Sequence, residues 1–233
     1  MKDLHTHILP GMDDGAQNVE TSLQMLHREF EQGVDTVALT PHFYRDREHP
    51  EEFLRRRRNA YETLTAAISA LPEAERAALP RLLLGAEVAW VPNLTQVRGL
   101  EQMCYGDSRF LLVEPPFCTW GDDFFNQLYD LMNCIGLTPV IAHVDRYWGF
   151  QNRAQLETLF AMDVPVQLST EALLHFATRT RALRLIRAGR VQMLITDAHD
   201  LSARAPNMAQ ALTILKKKLG GGERLTRFDL GAP

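Results

Sequence analysis

The chain has 233 residues, a formal net charge of −4 and a hydrophobic fraction of 45%. This length and apolar content predict one domain, residues 1–233, with a large core, and the acidic balance argues against a nucleic-acid-binding surface. Three cysteines without C-x-x-C spacing argue against a disulfide framework, and the absence of a signal-peptide pattern or an apolar run near 18 residues predicts a cytoplasmic protein without a membrane span.

Short runs rich in Val, Ile and Leu alternate with amphipathic stretches. The runs predict seven strands, at 2–8, 35–41, 81–89, 109–114, 138–143, 165–169 and 191–196. The stretches between them predict helices at about 19–33, 50–70, 122–135, 152–161, 178–188 and 206–219. This alternation is typical of βαβ units around a parallel sheet. Seven strands suit a barrel better than a small open sheet, and the chain offers no eighth unit.

Three local patterns give further predictions. The first helix has apolar residues at helical spacing, which predicts that they form its buried face: Val19, Leu23, Leu26 and Phe30. The run Arg55–Arg58 covers a whole helical turn and is interpreted as a solvated face. The glycines at 220–222 end the last helix, and a loose tail is expected after residue 222.

Six of the predicted strands close with a histidine or a carboxylate. These residues are His5 and His7, His42, Glu87, Glu114, His143, and Asp197 and His199. In a (β/α) barrel the carboxyl ends of the strands share one face, where catalytic residues lie. Mixed imidazole and carboxylate ligands are typical of divalent transition-metal sites. The sequence therefore predicts a metal pocket on one face of an α/β barrel.

Taken singly, several of these residues have ordinary explanations. His5 and His7 face the same side of a strand, but two buried core histidines are an equally good interpretation of that pair. Asp3, on the same face, is expected to orient an imidazole. Asp13 and Asp14 follow in a turn, where aspartate often only stabilises the turn. Their position next to the two histidines makes an aspartate ligand credible.

Other residues point more directly to chemistry. Glu87 and Glu114 end apolar strands, where a carboxylate is costly to bury unless it is paired or binds a metal. Arg146 and Arg204 follow His143 and His199 closely in sequence. Either arginine alone would be assigned to the surface, but guanidinium groups beside metals suit a phosphate oxyanion.

A cysteine phosphatase is excluded because no Cys-x5-Arg motif is present. The residues six positions after the three cysteines are Phe110, Phe124 and Val140. Any phosphate chemistry must therefore depend on metal.

The order of these motifs resembles the PHP (polymerase and histidinol phosphatase) superfamily. The opening HTHILPGMDDGA, residues 5–16, is similar to that of bacterial capsule-associated protein-tyrosine phosphatases of the CpsB/YwqE type. The resemblance covers about residues 1–207 and implies a distorted (β/α)7 TIM-like barrel. Val144-Asp145 and Pro115 depart from the family pattern beside the ligands and could reshape the pocket.

The resemblance also implies a ligand set for up to three metals. The first would be bound by His5, His7, Glu87 and Asp197; the second by Glu87, Glu114 and His143; the third by Asp14, His42 and His199. Arg146 and Arg204 match the family's phosphate-binding arginines. The family is usually manganese-dependent, and Fe, Zn, Co or Mg are the alternatives.

The implied function is hydrolysis of phosphotyrosine on protein by a metal-activated hydroxide, with Asp197 or His199 relaying a proton to the leaving oxygen. The partner would be a bacterial tyrosine kinase in capsule or exopolysaccharide regulation. Two alternatives stay open: another PHP phosphoesterase, acting on histidinol phosphate or nucleic-acid ends, and a non-catalytic regulator that uses metals only for folding. Oligomeric state is not readable from the residues.

Overall fold

The structure, a computed structural model, describes residues 1–231 and alternates short strands with helices. The strands are β1 (Lys2–Thr6), β2 (Thr36–Leu39), β3 (His42–Phe43), β4 (Arg81–Leu84), β5 (Glu87–Ala89), β6 (Phe110–Glu114), β7 (Thr138–Ile141), β8 (Gln167–Ser169) and β9 (Met193–Ile195). The α-helices are α1 (Val19–Glu31), α2 (Pro50–Ala70), α3 (Glu73–Arg76), α4 (Asp122–Asp130), α5 (Arg153–Ala161), α6 (Glu171–Leu174), α7 (Phe176–Arg187) and α8 (Met208–Leu219).

All strand pairs are parallel, and together they close into a barrel. β1 pairs with β2 and β2 with β4, while β3, β5, β6 and β7 pair in that order. A bridge between Ile141 and Val166 connects β7 to the start of β8, which pairs with β9. A bridge between Thr6 and Ala198 then joins the last strand to the first. The predicted α/β fold with parallel strands is confirmed, and the two bridges order the strands as the predicted (β/α)7 barrel requires.

Nine short strands are observed because one predicted strand is interrupted and another is followed by an additional two-residue strand. β2 lies within the strand predicted at 35–41, and β3 begins just beyond it, after Thr40 and Pro41. Proline has no N–H for a ladder. β4 and β5 are separated by Gly85 and Ala86, and a Cβ on Gly85 would lie 3.3 Å from both the Thr40 and Tyr105 side chains. Strand pairing resumes at His42 and Glu87, which are register partners directly after the two breaks.

The buried face of α1 differs from the predicted one. Asn18 caps the helix by accepting a hydrogen bond from the Thr21 N–H. Leu26 is buried as expected, but Phe30 is 38% exposed, whereas Glu29 is fully buried. The apolar spacing therefore predicted the helix correctly but not which side of it is buried. The carboxylate of Glu29 occupies the buried side in place of an apolar residue.

The basic run at 55–58 is not a uniformly solvated face. Arg57 is buried and donates hydrogen bonds to the carbonyl oxygens of Gly85, at 2.8 Å, and Gln102, at 2.7 Å. Gly85 lies between β4 and β5 and Gln102 lies in a short 3-10 turn, Leu100–Met103, and the guanidinium donates to both carbonyls. The predicted solvated face is wrong for this residue.

Residues 223–231 belong to the tail for which the sequence predicts a loose conformation, and they pack against the barrel; residues 232–233 lie outside the described residues. A short 3-10 turn spans Glu223–Thr226, and Leu225 within it is buried. Phe228 contacts the Phe110 ring edge-to-face with centroids 5.4 Å apart, and its carbonyl accepts a hydrogen bond from Lys2. The tail therefore covers one end of the barrel next to β1 and β6.

Two apolar clusters make up the core. Alternate strand residues and Tyr105 form the smaller cluster, which fills the barrel: Leu4, Ala38, Leu112, Val140, Ala142, Met193 and Ile195. The larger cluster lies between the strands and the helices. Within residues 1–231, no helix is long and apolar enough to cross a membrane.

Candidate metal centre

The structure brings all nine predicted ligands together at one end of the barrel. They lie at carboxyl ends of strands, at the two strand interruptions, or in the loop after β1: His5, His7, Asp14, His42, Glu87, Glu114, His143, Asp197 and His199. All are buried except His42, which is nearly so, and Asp14, whose side chain is 63% exposed. The two ligands nearest the rim are therefore Asp14 and His42.

Four donor atoms converge most closely. The atoms are His5 Nε2, His7 Nε2, Glu87 Oε2 and Asp197 Oδ1, and the histidine–histidine and histidine–carboxylate distances among them run from 3.2 to 3.5 Å. Donors about 2.1 Å from a tetrahedral metal lie about 3.4 Å from one another. The spacing therefore fits one metal ion held by all four side chains.

Glu87 is shared among several histidines. Its Oε1 lies 2.8 Å from His143 Nε2, and its Oε2 lies 2.9 Å from His42 Nδ1. Glu114 Oε1 is 4.0 Å from the same His143 nitrogen. A carboxylate with both oxygens facing different donors is suited to bridging two cations.

A further group lies nearer the rim. Asp14 Oδ1 is 3.6 Å from His42 Nε2 and 3.4 Å from His199 Nε2. The His199 ring stacks on that of His7, with centroids 3.8 Å apart. His42 therefore faces Glu87 with one nitrogen and Asp14 with the other, and it connects the two halves of the pocket.

The donor atoms themselves fit bound cations. Five buried site atoms have no partner in hydrogen-bond geometry: His42 Nδ1, Glu87 Oε2, His143 Nδ1, Asp197 Oδ1 and His199 Nε2. Two of them, His42 Nδ1 and Glu87 Oε2, nevertheless lie 2.9 Å apart. Buried polar atoms are nearly always satisfied. A cluster of five unsatisfied atoms within one pocket is explained by metal coordination, which the chemistry of nitrogen and oxygen donors allows.

The pocket is also short of positive charge. Burial and the neighbouring charge of Glu87 raise the pKa of Glu114 to about 7. Burial alone would raise the pKa of Asp197, but the nearby His5, His7 and Arg146 hold it well below its usual range. Burial and the adjacent His7 lower the pKa of His199 to about 3. A divalent cation would offset the repulsion between Glu87 and Glu114.

Two site residues have unusual backbone conformations. His143 has a φ of 23° and Asp197 a φ of 54°, values that side-chain-bearing residues rarely adopt. Such strain persists only where the surrounding structure imposes it. Here the flanking strands and the closing bridge hold both residues so that their side chains face the pocket.

The two predicted arginines meet at one carboxylate oxygen. Arg146 Nη2 donates to Asp197 Oδ2, and Arg204 Nη2 donates to the same atom at 2.8 Å. About a third of each arginine side chain is exposed. The guanidinium groups therefore stand beside the candidate metal ligands and still face solvent.

Asp3 and Asp13 have different roles from those expected. Asp3 does not contact an imidazole ring; it accepts hydrogen bonds from the Thr196 hydroxyl and from backbone N–H groups of His5 and Thr196. The imidazole partner is Asp13, whose Oδ2 lies 2.7 Å from His7 Nδ1. The sequence alone did not predict this role. Asp13 and Asp14 are adjacent, and only the geometry of the turn determines which of them contacts His7.

A cleft of about 720 Å³ opens beside Asp14 and His42. Its walls come from the loop after β1, the loop after β3 and the first turns of α2, and include Tyr44, Arg47 and Arg56. The Tyr44 ring stacks on His42 with centroids 5.1 Å apart, and the Arg47 guanidinium lies 4.1 Å from the Tyr44 ring centre. The sequence contains no motif that marks this cleft.

Comparison with known proteins places the whole chain in one family. Tyrosine-protein phosphatase CpsB of Streptococcus agalactiae is 26% identical, covering 94% of this chain and 91% of the relative. Tyrosine-protein phosphatase YwqE of Bacillus subtilis is 27% identical, with 94% and 85% covered. A crystal structure from work on YwqE and Streptococcus pneumoniae CpsB, described as metal-dependent tyrosine phosphatases, superposes with a TM-score of 0.78 at 26% identity over 95% of this chain and 88% of that one.

The family model for capsular polysaccharide synthesis proteins CpsB/CapC matches residues 1–227. This match includes every strand of the barrel and all nine residues of the pocket. The chain therefore belongs to the CpsB/CapC family.

Proposed function

We propose that the protein is a metal-dependent protein-tyrosine phosphatase. The observation that carries the proposal is the convergence of Arg146 and Arg204 on Asp197, directly beside four donor atoms spaced for a metal ion. A metal that served only folding would not require two partly exposed guanidinium groups next to it. The names of the relatives, tyrosine-protein phosphatases, support the same activity.

We assign the ligands to three positions. His5, His7, Glu87 and Asp197 would hold the first metal; Glu87, Glu114 and His143 the second; and Asp14, His42 and His199 the third. The donors are nitrogen and oxygen without thiolate, a set that suits Mn²⁺ and also admits Fe, Zn, Co or Mg. Mn²⁺ is our proposal for the metal used.

Bound divalent metals supply Lewis-acid polarisation of the phosphoryl oxygens and a water of lowered pKa. The chain's own residues complete the site. Arg146 and Arg204 would each donate two N–H groups to the phosphoryl oxygens and stabilise their developing charge. Asp197 holds both guanidinium groups in place through its Oδ2.

The sequence predicts Asp197 or His199 as the group that passes a proton to the leaving oxygen. In the assignment above both are metal ligands whose pKa values lie below their usual ranges, so neither is expected to carry a proton near neutral pH. His199 Nδ1 lies 2.8 Å from the Asp197 carbonyl oxygen, which fixes its ring. A tyrosine phenolate is a fairly good leaving group, so little proton transfer is required from either residue.

The substrate we propose is a phosphotyrosine protein, specifically a bacterial tyrosine kinase that controls capsule or exopolysaccharide assembly. The cleft beside Asp14 and His42 is open to solvent and large enough for a peptide segment next to the phosphotyrosine. Three free cysteines accord with a reducing cytoplasm as the place of action.

The test measures phosphate release from a phosphotyrosine peptide by chelator-stripped protein, with and without added Mn²⁺. Histidinol phosphate is assayed in parallel. We expect Mn²⁺-dependent release from the peptide and little from histidinol phosphate. Release from histidinol phosphate alone would reject the substrate but retain the metal site.

Asp197→Ala separates catalysis from a purely structural metal role. The variant should lose turnover while its far-UV circular dichroism stays like that of the wild type. If the variant unfolds and the wild type itself shows no turnover, the result would favour the non-catalytic regulator.

A further inference from the structure

A fully buried glutamine on β8 contacts one of the candidate metal ligands. Gln167 Oε1 lies 2.8 Å from His5 Nδ1. Its Nε2 donates to the Leu4 carbonyl oxygen at 3.3 Å and to the Tyr105 hydroxyl oxygen at 3.1 Å. No motif in the sequence marks this residue, which lies 162 positions from the histidine.

The partners determine which way the amide faces. The Leu4 carbonyl oxygen can only accept hydrogen bonds, and the Tyr105 hydroxyl already donates its one hydrogen to it at 2.8 Å. Towards Gln167, both atoms can therefore only accept a hydrogen bond. The reversed amide would place its oxygen against the Leu4 carbonyl oxygen, which would be repulsive in this buried position.

The amide orientation in turn determines where His5 carries its hydrogen. Because Gln167 Oε1 only accepts, His5 Nδ1 must be the N–H. His5 Nε2, the nitrogen 3.2 Å from Glu87 and 3.5 Å from Asp197, is then the one that can present a lone pair to a metal.

We propose that Gln167 is a positioning residue that fixes the tautomer and ring orientation of His5 for metal binding. The proposal rests on the proposed function in so far as the pocket binds a divalent metal. His7 and His199 are fixed differently, by the Asp13 carboxylate and by a backbone carbonyl. At His5 the partner is an amide, which can accept from the imidazole with its oxygen and donate to Leu4 and Tyr105 with its nitrogen.

The test is Mn²⁺ titration of chelator-stripped protein by calorimetry. Gln167→Met keeps the volume but removes the acceptor for His5 Nδ1. We expect the affinity of the tightest Mn²⁺ step to fall by about 10- to 100-fold, as when the outer partner of a metal-bound histidine is lost. The matched control is Tyr105→Phe, which removes a hydroxyl from the same buried network but leaves Oε1 on His5. Its Mn²⁺ affinity should stay close to that of the wild type, even if its melting temperature falls.

Gln167→Glu provides a second variant, since it keeps an oxygen facing His5 but loses the donor to the Leu4 carbonyl oxygen. Its melting temperature should fall, while its Mn²⁺ affinity should fall less than that of Gln167→Met. Wild-type affinity in Gln167→Met, or an equal loss in Tyr105→Phe or Gln167→Glu, would overturn the proposal. Wild-type protein that binds no Mn²⁺ would instead overturn the proposed function.

Discussion

At the scale of single residues, Asp197 combines three roles. It faces two histidines with one oxygen, accepts from two arginines with the other, and adopts a left-handed backbone conformation at the barrel closure. Its position therefore fixes the distance between the metal ligands and the phosphate-binding groups. Substitutions around it should separate substrate binding from metal binding.

Arg146→Ala should lower kcat/KM for a phosphotyrosine peptide by about 100- to 1,000-fold, the usual effect of losing one preorganised donor to a transition-state oxyanion. Arg146→Lys keeps the charge but lacks the planar fork, so it should recover only part of the loss. Steady-state kinetics with saturating Mn²⁺ measures both. Arg153→Ala, at an exposed arginine on α5, is the control. Equal rates in Arg146→Ala and the control would show that Arg146 does not bind the phosphoryl group.

Residue identity at the site was largely predictable, whereas the supporting contacts were not. Ligand types at successive strand ends indicated the pocket, because parallel strands bring those ends to one face. The role of Asp13 beside His7, the burial of Arg57 and the contact of Gln167 with His5 depend on the three-dimensional approach of distant segments. Such approaches leave no periodicity or spacing in the sequence.

At the scale of elements, the loop after β1 must pass very close to that strand. A Cβ on Gly15 would lie 2.0 Å from the His7 carbonyl oxygen. This oxygen belongs to the backbone, which cannot move aside as easily as the end of a flexible side chain. Ala16 N–H also donates to this carbonyl at 2.9 Å. The loop that carries Asp14 is therefore held against a metal ligand by main-chain contacts.

Gly15→Ala should destabilise the fold by about 2–3 kcal/mol or more, as overpacking does in a rigid site, and should also weaken metal binding through displacement of His7. Gly149→Ala is a matched control, since a Cβ there meets nothing within 4 Å. Urea unfolding of both variants measures the difference. Equal midpoints would mean that the loop adjusts without cost.

The guanidinium of Arg57 connects α2 to the break between β4 and β5, at the carbonyl oxygen of Gly85. Arg57→Ala leaves the Gly85 and Gln102 carbonyls without their donor, and we expect a loss of about 2–4 kcal/mol, since hydrogen bonds to charged groups contribute about 1.5–3 kcal/mol each. Its exposed neighbour Arg58 provides the control, Arg58→Ala, which should change stability little. The urea unfolding midpoints of the two variants measure this difference. If they are equal, the Arg57 side chain is exposed to solvent and does not hold the two carbonyls.

Element positions were the most predictable level of the fold. The helix predicted at 50–70 coincides with α2, and all seven predicted strands are present. The sequence did not predict where the strands break or which side of α1 is buried. Both result from tertiary packing, through the approach of Gly85 to Thr40 and Tyr105 and the burial of Glu29.

At the scale of the whole molecule, the metal ligands come from strands all around the barrel, so metal binding should stabilise the complete fold. A ligand that binds only the folded state at 100 times its Kd contributes about 2.7 kcal/mol. Chelator treatment should therefore lower the melting temperature, and Mn²⁺ should restore it. Differential scanning calorimetry of wild type and Asp197→Ala checks this, with a smaller Mn²⁺ shift expected in the variant. Identical melting temperatures with chelator and with Mn²⁺ would show that the pocket does not bind the metal.

The closure of the barrel has a consequence for how the protein is made. The bridge between Thr6 and Ala198, with the hydrogen bonds from Asp197 to His5 and from His7 to Ala198, joins segments from nearly opposite ends of the sequence. Such distant pairing forms late, because the entropy of closing the long loop must first be overcome. A nascent chain still on the ribosome carries His5 and His7 early but lacks Asp197 and His199. Activity should therefore begin only after the segment that carries Asp197 and His199 has been synthesised and has paired with β1.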